Sequence, residues 1–266
     1  MTKRIVRARH LAIVALLLLL APASGRADVT RVDIQRREDV LAGKAFGSAG
    51  PYEKLVGKVY FAVDPNNPHN KIIVDLDKAP KNAQGKVEFS SDLYIVKPKD
   101  SSKGNGVVFF DIVNRGNKGL LRTFSRGGGG ADPTTEADFG DAYLLEQGYT
   151  LVAVGWQFDV AKGRGLVGAD LPIATENGSP ITGWVKMWFI SNQPTLAFEY
   201  VSNGYNTRAY PALNPNDPQY RLTEREGIYA PVRLIPRDQW EFAKMENGKP
   251  VADPNFIHLK DRKSVV

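Results

Sequence analysis

The sequence predicts an α/β protein, with a β-rich section before a parallel sheet and a β-rich insertion after it. Three observations predict this. Val107 to Val113, in "GVVFFDIVNRGNKGL", is an apolar run whose only polar member is Asp111, the pattern of a strand covered on both faces. Tyr149 to Trp156, "YTLVAVGW", reads the same way. Between them, "TEADFGDAYLLEQGY" places Thr135 and Asp138 at capping-box spacing. Phe139, Ala142 and Tyr143 share one helical face there, and Gly148 supplies a stop. Strand, loop, helix, glycine and strand make a βαβ unit, which implies a parallel sheet.

The remaining elements follow in chain order. "MTKRIVRARH" carries Lys3, Arg4, Arg7 and Arg9 without an acidic residue, Leu11 to Leu20 is apolar, and small residues follow in "APASGRAD". That order predicts a secretory signal peptide over residues 1–27, ending at Ala23 or Ala27. The apolar run falls short of the about 20 residues of a membrane span, so no stable membrane insertion is expected after cleavage. Export then predicts a periplasmic or secreted protein.

From Val29 to Pro98 the chain reads as antiparallel hairpins. "KLVGKVYFAVD" (54–64), "KIIVDLD" (71–77) and "VEFSSDLYIVKP" (87–98) are strand-like, with "PNNPHN" and "KNAQGK" as turns. Beyond the βαβ unit, "ITGWVKMWFI" (181–190) is the strongest strand signal, and Asn247-Gly248 marks a hairpin in "WEFAKMENGKPVAD". "NFIHLK" alternates as a strand does. The final six residues, Asp261 to Val266, resemble the translation of a sequencing adapter and are expected to be a non-native tail, with an ordinary polar tail as the alternative.

Charge and cysteine content narrow the chemistry. The formal charge of +6 comes from 35 basic and 29 acidic residues, and residues 1–27 hold five of the basic ones. The remainder has 30 basic against 29 acidic residues, so a nucleic-acid partner loses its electrostatic support. There is no cysteine, which excludes disulfides, a thiol nucleophile and cysteine-ligated metal.

No catalytic set is legible. Gly-x-Ser-x-Gly is absent; the nearest match is "TFSRG", where Ser125 reads as a loop serine. After the leader only His69, in a turn, and His258 remain, and neither has a nucleophile or an orienting acid in view. With Asp75 and Asp77 they do not make a metal set, and Gly127 to Gly130 lacks the Gly-Lys-Ser/Thr of a phosphate loop. Neither a metal nor another cofactor is expected. A carboxylate pair for glycan chemistry stays open, with Trp156, Trp184 and Trp188 as wall residues.

The best site candidate is the loop after the first apolar strand: Asn114, Arg115 and Gly116. Gly116 permits unusual backbone angles, and Asn114 or Arg115 can stabilise developing negative charge. The alternative, kept open here, is that Asn114 and Arg115 only satisfy neighbouring backbone and carboxylate groups.

Several segments, taken in order, carry a resemblance. They are "FGSAGPYEKLVGKVYFAVDP", "IIVDLDKAPKNAQGKVEFSSDLYIVKP", "VVFFDIVNRGNKG", "LLEQGYTLVAVGWQFDV" and "ITGWVKMWFI". Together they resemble the N-terminal part of a bacterial family of exported α/β-hydrolase-domain proteins, over about Val29 to Lys260. The resemblance implies an incomplete α/β-hydrolase-type sheet in residues 28–260. It further implies an esterase-like serine hydrolase acting on a small-molecule ester, with nucleophile, acid and base outside this chain. No catalytic residue carries over; Asn114, Arg115 and Gly116 correspond to the oxyanion loop. The rival expectation is a non-catalytic exported binding or scaffold module.

Overall fold

A computed structural model describes residues 28–188, 190, 194–200 and 210–260. The signal peptide over 1–27 and the adapter-like tail over 261–266 lie outside the described residues. The chain divides into two units.

The larger unit takes in Arg31–Tyr60, Phe89–Leu171 and the described residues from 182 onward. The main sheet is built from β1 (Asp28–Asp39), β2 (Ala45–Phe46), β3 (Gly50–Val63), β4 (Val87–Pro98), β5 (Val108–Asp111), β6 (Thr150–Val154) and β7 (Ala169–Asp170), of which residues 28–30, 61–63 and 87–88 fall in the smaller unit. The order is β1-β3-β4-β6-β5, with β2 on β3 and β7 on β4. β5 and β6 pair in parallel, Val108 opposite Thr150 and Asp111 opposite Ala153. The β4–β6, β4–β7 and β2–β3 registers are antiparallel.

The predicted α/β class is therefore corrected. Among the described residues strand outweighs helix, 37% against 15%, spread over several small sheets. Among the described residues the α-helices are α1 (Leu120–Ser125), α2 (Glu136–Phe139) and α3 (Tyr143–Glu146). The Thr135–Asp138 capping box is formed in full, but the helix it opens lasts one turn. Gly140 at φ +61 and Ala142 at φ +55 are left-handed, a conformation no right-handed helix contains. A Cβ at Gly140 would lie 1.9 Å from the Ser125 carbonyl oxygen, so the chain passes there only as glycine. Helical spacing was present in the residues; the backbone needed for a long helix was not.

Further expectations are corrected alongside it. The run 107–113 is covered on one face only. Phe109 packs on the core and Val113 is buried, while Val108, Phe110 and Ile112 are 58%, 51% and 79% exposed. β5 lies at one edge of the sheet. The described part of Ile181–Ile190 contains no strand, and Trp184 and Trp188 are largely exposed. Phe189 lies outside the described residues.

The main core gathers Phe46, Tyr52, Val96, Phe139, Leu145 and Leu151, with smaller residues between them. Tyr52 fixes the C-terminal end of α3, donating from its hydroxyl to the Leu145 and Tyr149 carbonyls at 2.9 and 3.1 Å. Burying an aromatic ring while its hydroxyl finds acceptors is the favourable way to place a tyrosine in a core.

A second cluster forms around Trp240 in the last part of the chain. There β10 (Ala197–Glu199), β16 (Phe256–Leu259) and β13 (Trp240–Glu241) pair in that order. β11 (Leu222–Glu224) pairs with β12 (Arg233–Ile235). β14 (Ala243–Glu246) and β15 (Lys249–Ala252) make the expected hairpin, with Asn247 at φ +49 and Gly248 at φ +76.

The smaller unit comprises residues 28–30, Phe61–Glu88 and Pro172–Ile181. Lys71 to Asp77 is turn and 3-10 structure here, not a strand: Asp75 is left-handed, and Ile72 and Val74 are 87% and 85% exposed. Lys78 meets Asp75 at 3.4 Å and Glu176 at 2.8 Å. Glu176 belongs to the short hairpin of β8 (Thr175–Glu176) and β9 (Ser179–Pro180).

Candidate functional site

Asp111, the one polar residue of the β5 run, explains itself first. Its Oδ2 accepts from the Gly119 and Leu120 amides at 2.7 and 3.4 Å. Those are free donors at the start of α1, and a carboxylate satisfies them. Asp111 thus ties the strand to the helix that follows, and the intervening residues must turn tightly.

They do so at Asn114–Asn117, which form a β-bridge with the Asn117 amide donating to the Asn114 carbonyl at 3.1 Å. Arg115 at φ +51 and Gly116 at φ +74 are the central pair, both positive as a primed hairpin turn requires. Gly116 has no room for a side chain. A Cβ would lie 2.8 Å from Val160 Cγ1 and from the Val167 carbonyl oxygen.

The turn is clamped from several sides. The Arg115 N–H donates to Gln157 Oε1 at 2.7 Å, and its guanidinium Nη1 donates to Asp159 Oδ2 at 2.5 Å. Tyr210 also donates to Asp159 Oδ2, at 3.2 Å. The Val167 N–H donates to the Gly116 carbonyl, and Trp156 Nε1 to the Val113 carbonyl at 2.6 Å. The sequence candidates Asn114, Arg115 and Gly116 therefore sit together, with the Arg115 amide facing the Gln157 side-chain oxygen.

A cavity lies beside this turn, lined by Tyr94, Asp111, Lys118, Gly129, Gly130 and Leu151 among others. Its volume is about 20 Å³, room enough for a water. Tyr94 is 6% exposed and its hydroxyl has no hydrogen-bond partner. Burial pushes that hydroxyl well above its ordinary range. Lys118 Nζ stands 4.5 Å from the Tyr94 ring centroid and donates to the Gly165 carbonyl at 2.5 Å. Burial lowers the Lys118 ammonium to about 8, against the opposing pull of Asp132 and Asp111.

Asp132 anchors the neighbouring charges. It accepts from Lys54 and Arg36, each at 2.8 Å. Burial pushes its carboxyl up, but the hydrogen bonds and positive charges of Lys54 and Arg36 together hold it below the ordinary range. Lys54 is 4% exposed and fully engaged, meeting Glu38 at 3.1 Å and the Pro133 carbonyl at 3.3 Å as well.

The other sequence candidates are scattered. Ser125 is fully buried, and its Oγ accepts from the Leu144 N–H at 3.2 Å. His258 Nδ1 pairs with Glu241 Oε1 at 2.9 Å. Gly127 and Gly128 donate to the Leu121 and Ala137 carbonyls, so they pack α1 against α2. Trp184 stacks edge-on with Tyr220, and Trp188 lies under Arg225. Among the described residues no three His, Cys, Asp or Glu residues converge as a metal set, and no helix is long and apolar enough to cross a membrane.

Tyr94, Lys118 and Gln157 were not singled out from sequence. Lys118 stands within the candidate loop motif, two residues past Gly116, and that adjacency was its only signal. Comparison with protein-family models, curated proteins and solved structures returns no match.

Proposed function

We propose that this chain is the N-terminal portion of an exported, esterase-like serine hydrolase that acts on small-molecule esters. Its nucleophile, acid and base lie outside residues 28–260, and the chain alone is inactive. The observation that carries the reading is the Arg115 N–H, held in a left-handed turn just past the carboxyl end of β5 and aimed at an oxygen 2.7 Å away. Donors at 2.7–3.1 Å from a reacting oxygen are what an oxyanion site supplies. In the hydrolase the substrate oxygen takes the place of the Gln157 amide. The ordered run of family-like segments supports the same reading.

A second reading, a non-catalytic exported binding module, is favoured by the Tyr94 hydroxyl left without a partner in a cavity. Assays of p-nitrophenyl acetate and butyrate hydrolysis separate the two. The protein encoded by the whole parent gene should turn these esters over, and this chain should not. A whole-gene product that is folded, exported and inert towards both esters supports the binding module instead.

A further inference from the structure

The Tyr94–Lys118 cavity joins three features that the turn chemistry does not use. Its walls are mainly apolar, from Val96, Leu121, Leu151 and Ala153 among others. Its polar groups include a tyrosine hydroxyl, buried and without a partner, and a lysine amine above that tyrosine's ring. Lys118 Nζ uses one donor on the Gly165 carbonyl, which leaves its remaining valences for a ligand. A buried hydroxyl without a partner carries a desolvation penalty that a ligand oxygen relieves.

We propose that this cavity is a covalent binding site for small aliphatic aldehydes, with Lys118 as the amine that captures them and Tyr94 as the hydrogen-bond donor to the carbonyl oxygen. The cavity, about 20 Å³, accepts the carbonyl oxygen, and the aliphatic part lies along the apolar side chains of Leu121, Leu151 and Ala153. The Lys118 nitrogen lone pair forms a C–N bond while the carbonyl π pair moves to oxygen, which gains a proton. Loss of one water from the resulting carbinolamine gives the imine. Amine and aldehyde are converted to imine and water, and no oxidant or reductant is consumed.

Position explains why this lysine differs from the others. Desolvation favours its neutral form, lowering it to about 8, and a desolvated lysine is the usual nucleophilic amine. Asp111 and Asp132 restrain that shift, but Asp111 is engaged by the α1 amides and Asp132 by Lys54 and Arg36.

The test is competitive trapping on the folded full chain, using propanal with cyanoborohydride at pH 7 and peptide mapping by mass spectrometry. Lys118 should be alkylated about tenfold faster than the median lysine. An amine at about 8 has roughly 10² more neutral form than an ordinary lysine at pH 7, and restricted access reduces that advantage. Tyr94→Phe, which keeps the ring, should slow trapping at Lys118 at least about threefold without lowering the unfolding midpoint. In guanidinium chloride the Lys118 excess should vanish. A Lys118 rate at the lysine median, an unchanged rate in Tyr94→Phe, or an excess that persists in the denatured chain would each overturn the proposal.

Discussion

The Arg115 backbone N–H donates to Gln157 Oε1 across 2.7 Å, at a turn whose two central residues are both left-handed. If that amide belongs to an oxyanion site, Gln157 is a placeholder for substrate. Gln157→Ala in the whole-gene enzyme should then keep ester turnover within about twofold, or raise it. It should cost about 1 kcal/mol of stability, the net value of one hydrogen bond. A loss of 10²-fold in kcat would assign Gln157 a part in the reaction itself.

Gly116→Val should reduce turnover by about 10²-fold or more, the scale of one lost oxyanion donor. It should also destabilise the fold, because its Cβ would meet Val160 Cγ1 and the Val167 carbonyl at 2.8 Å. Adding volume to packed surroundings costs about 1–3 kcal/mol. Urea unfolding read beside kcat separates the two effects, and a variant normal in both would remove the turn from the site.

Gly140→Ala should be among the most damaging single substitutions, since Cβ would lie 1.9 Å from the Ser125 oxygen. Gly85→Ala is the control: it has a similarly left-handed φ of +74 and nothing within 4 Å. The control should show only backbone strain, about 1 kcal/mol. Equal midpoint losses in urea would show that the contact at Gly140 contributes nothing.

These positions also show what was legible. β4 runs from Val87 to Pro98 as the alternation indicated, and the Thr135–Asp138 box and the Asn247-Gly248 hairpin are both formed. Each is a local rule, satisfied within a few residues. The failures involve tertiary structure. Apolarity at 71–77 and 181–190 signalled strands, yet Ile72, Val74, Trp184 and Trp188 are exposed. Hydrophobic periodicity reports a preference for burial, and only pairing partners convert that preference into a strand. The long helix failed because close passage of Gly140 past Ser125 is a contact between distant residues. Asn114 to Gly116 were legible only as a loop after the strand; the Gln157 and Asp159 that hold them come from 42 and 44 residues away.

The exposed apolar β5 edge should make the chain prone to self-association. Val108 and Phe110 are exposed on the edge strand, and Ile112 is exposed just past its end; such an edge is a template for other chains. Phe110→Lys should shift material from aggregate to monomer in analytical ultracentrifugation without lowering the unfolding midpoint, because a charged edge blocks pairing. An unchanged distribution would place self-association elsewhere.

Asp170 predicts an acid-side stability loss. Hydrogen bonds from Lys162 and Lys58 lower its carboxyl to about 2 from the ordinary 3.8. A folded value below the unfolded one stabilises above the unfolded value, and the contribution is lost as pH falls through the folded one. The window is therefore about pH 4 to 2. Asp170 is 46% exposed, so solvent screening holds the contribution to about 0.2–1 kcal/mol. Asp170→Asn should flatten stability against pH across that window; an identical slope would show that the pairs contribute nothing there.

The central claim is that the catalytic serine of an ester hydrolase lies outside residues 28–260. The most direct measurement is labelling of the whole-gene protein with a fluorophosphonate, followed by peptide mapping of the modified serine. The account predicts one stoichiometric label on a serine outside 28–260, with this chain alone unlabelled. A label within 28–260, at Ser125 or any other serine, would contradict it, as would a folded whole-gene protein that takes no label.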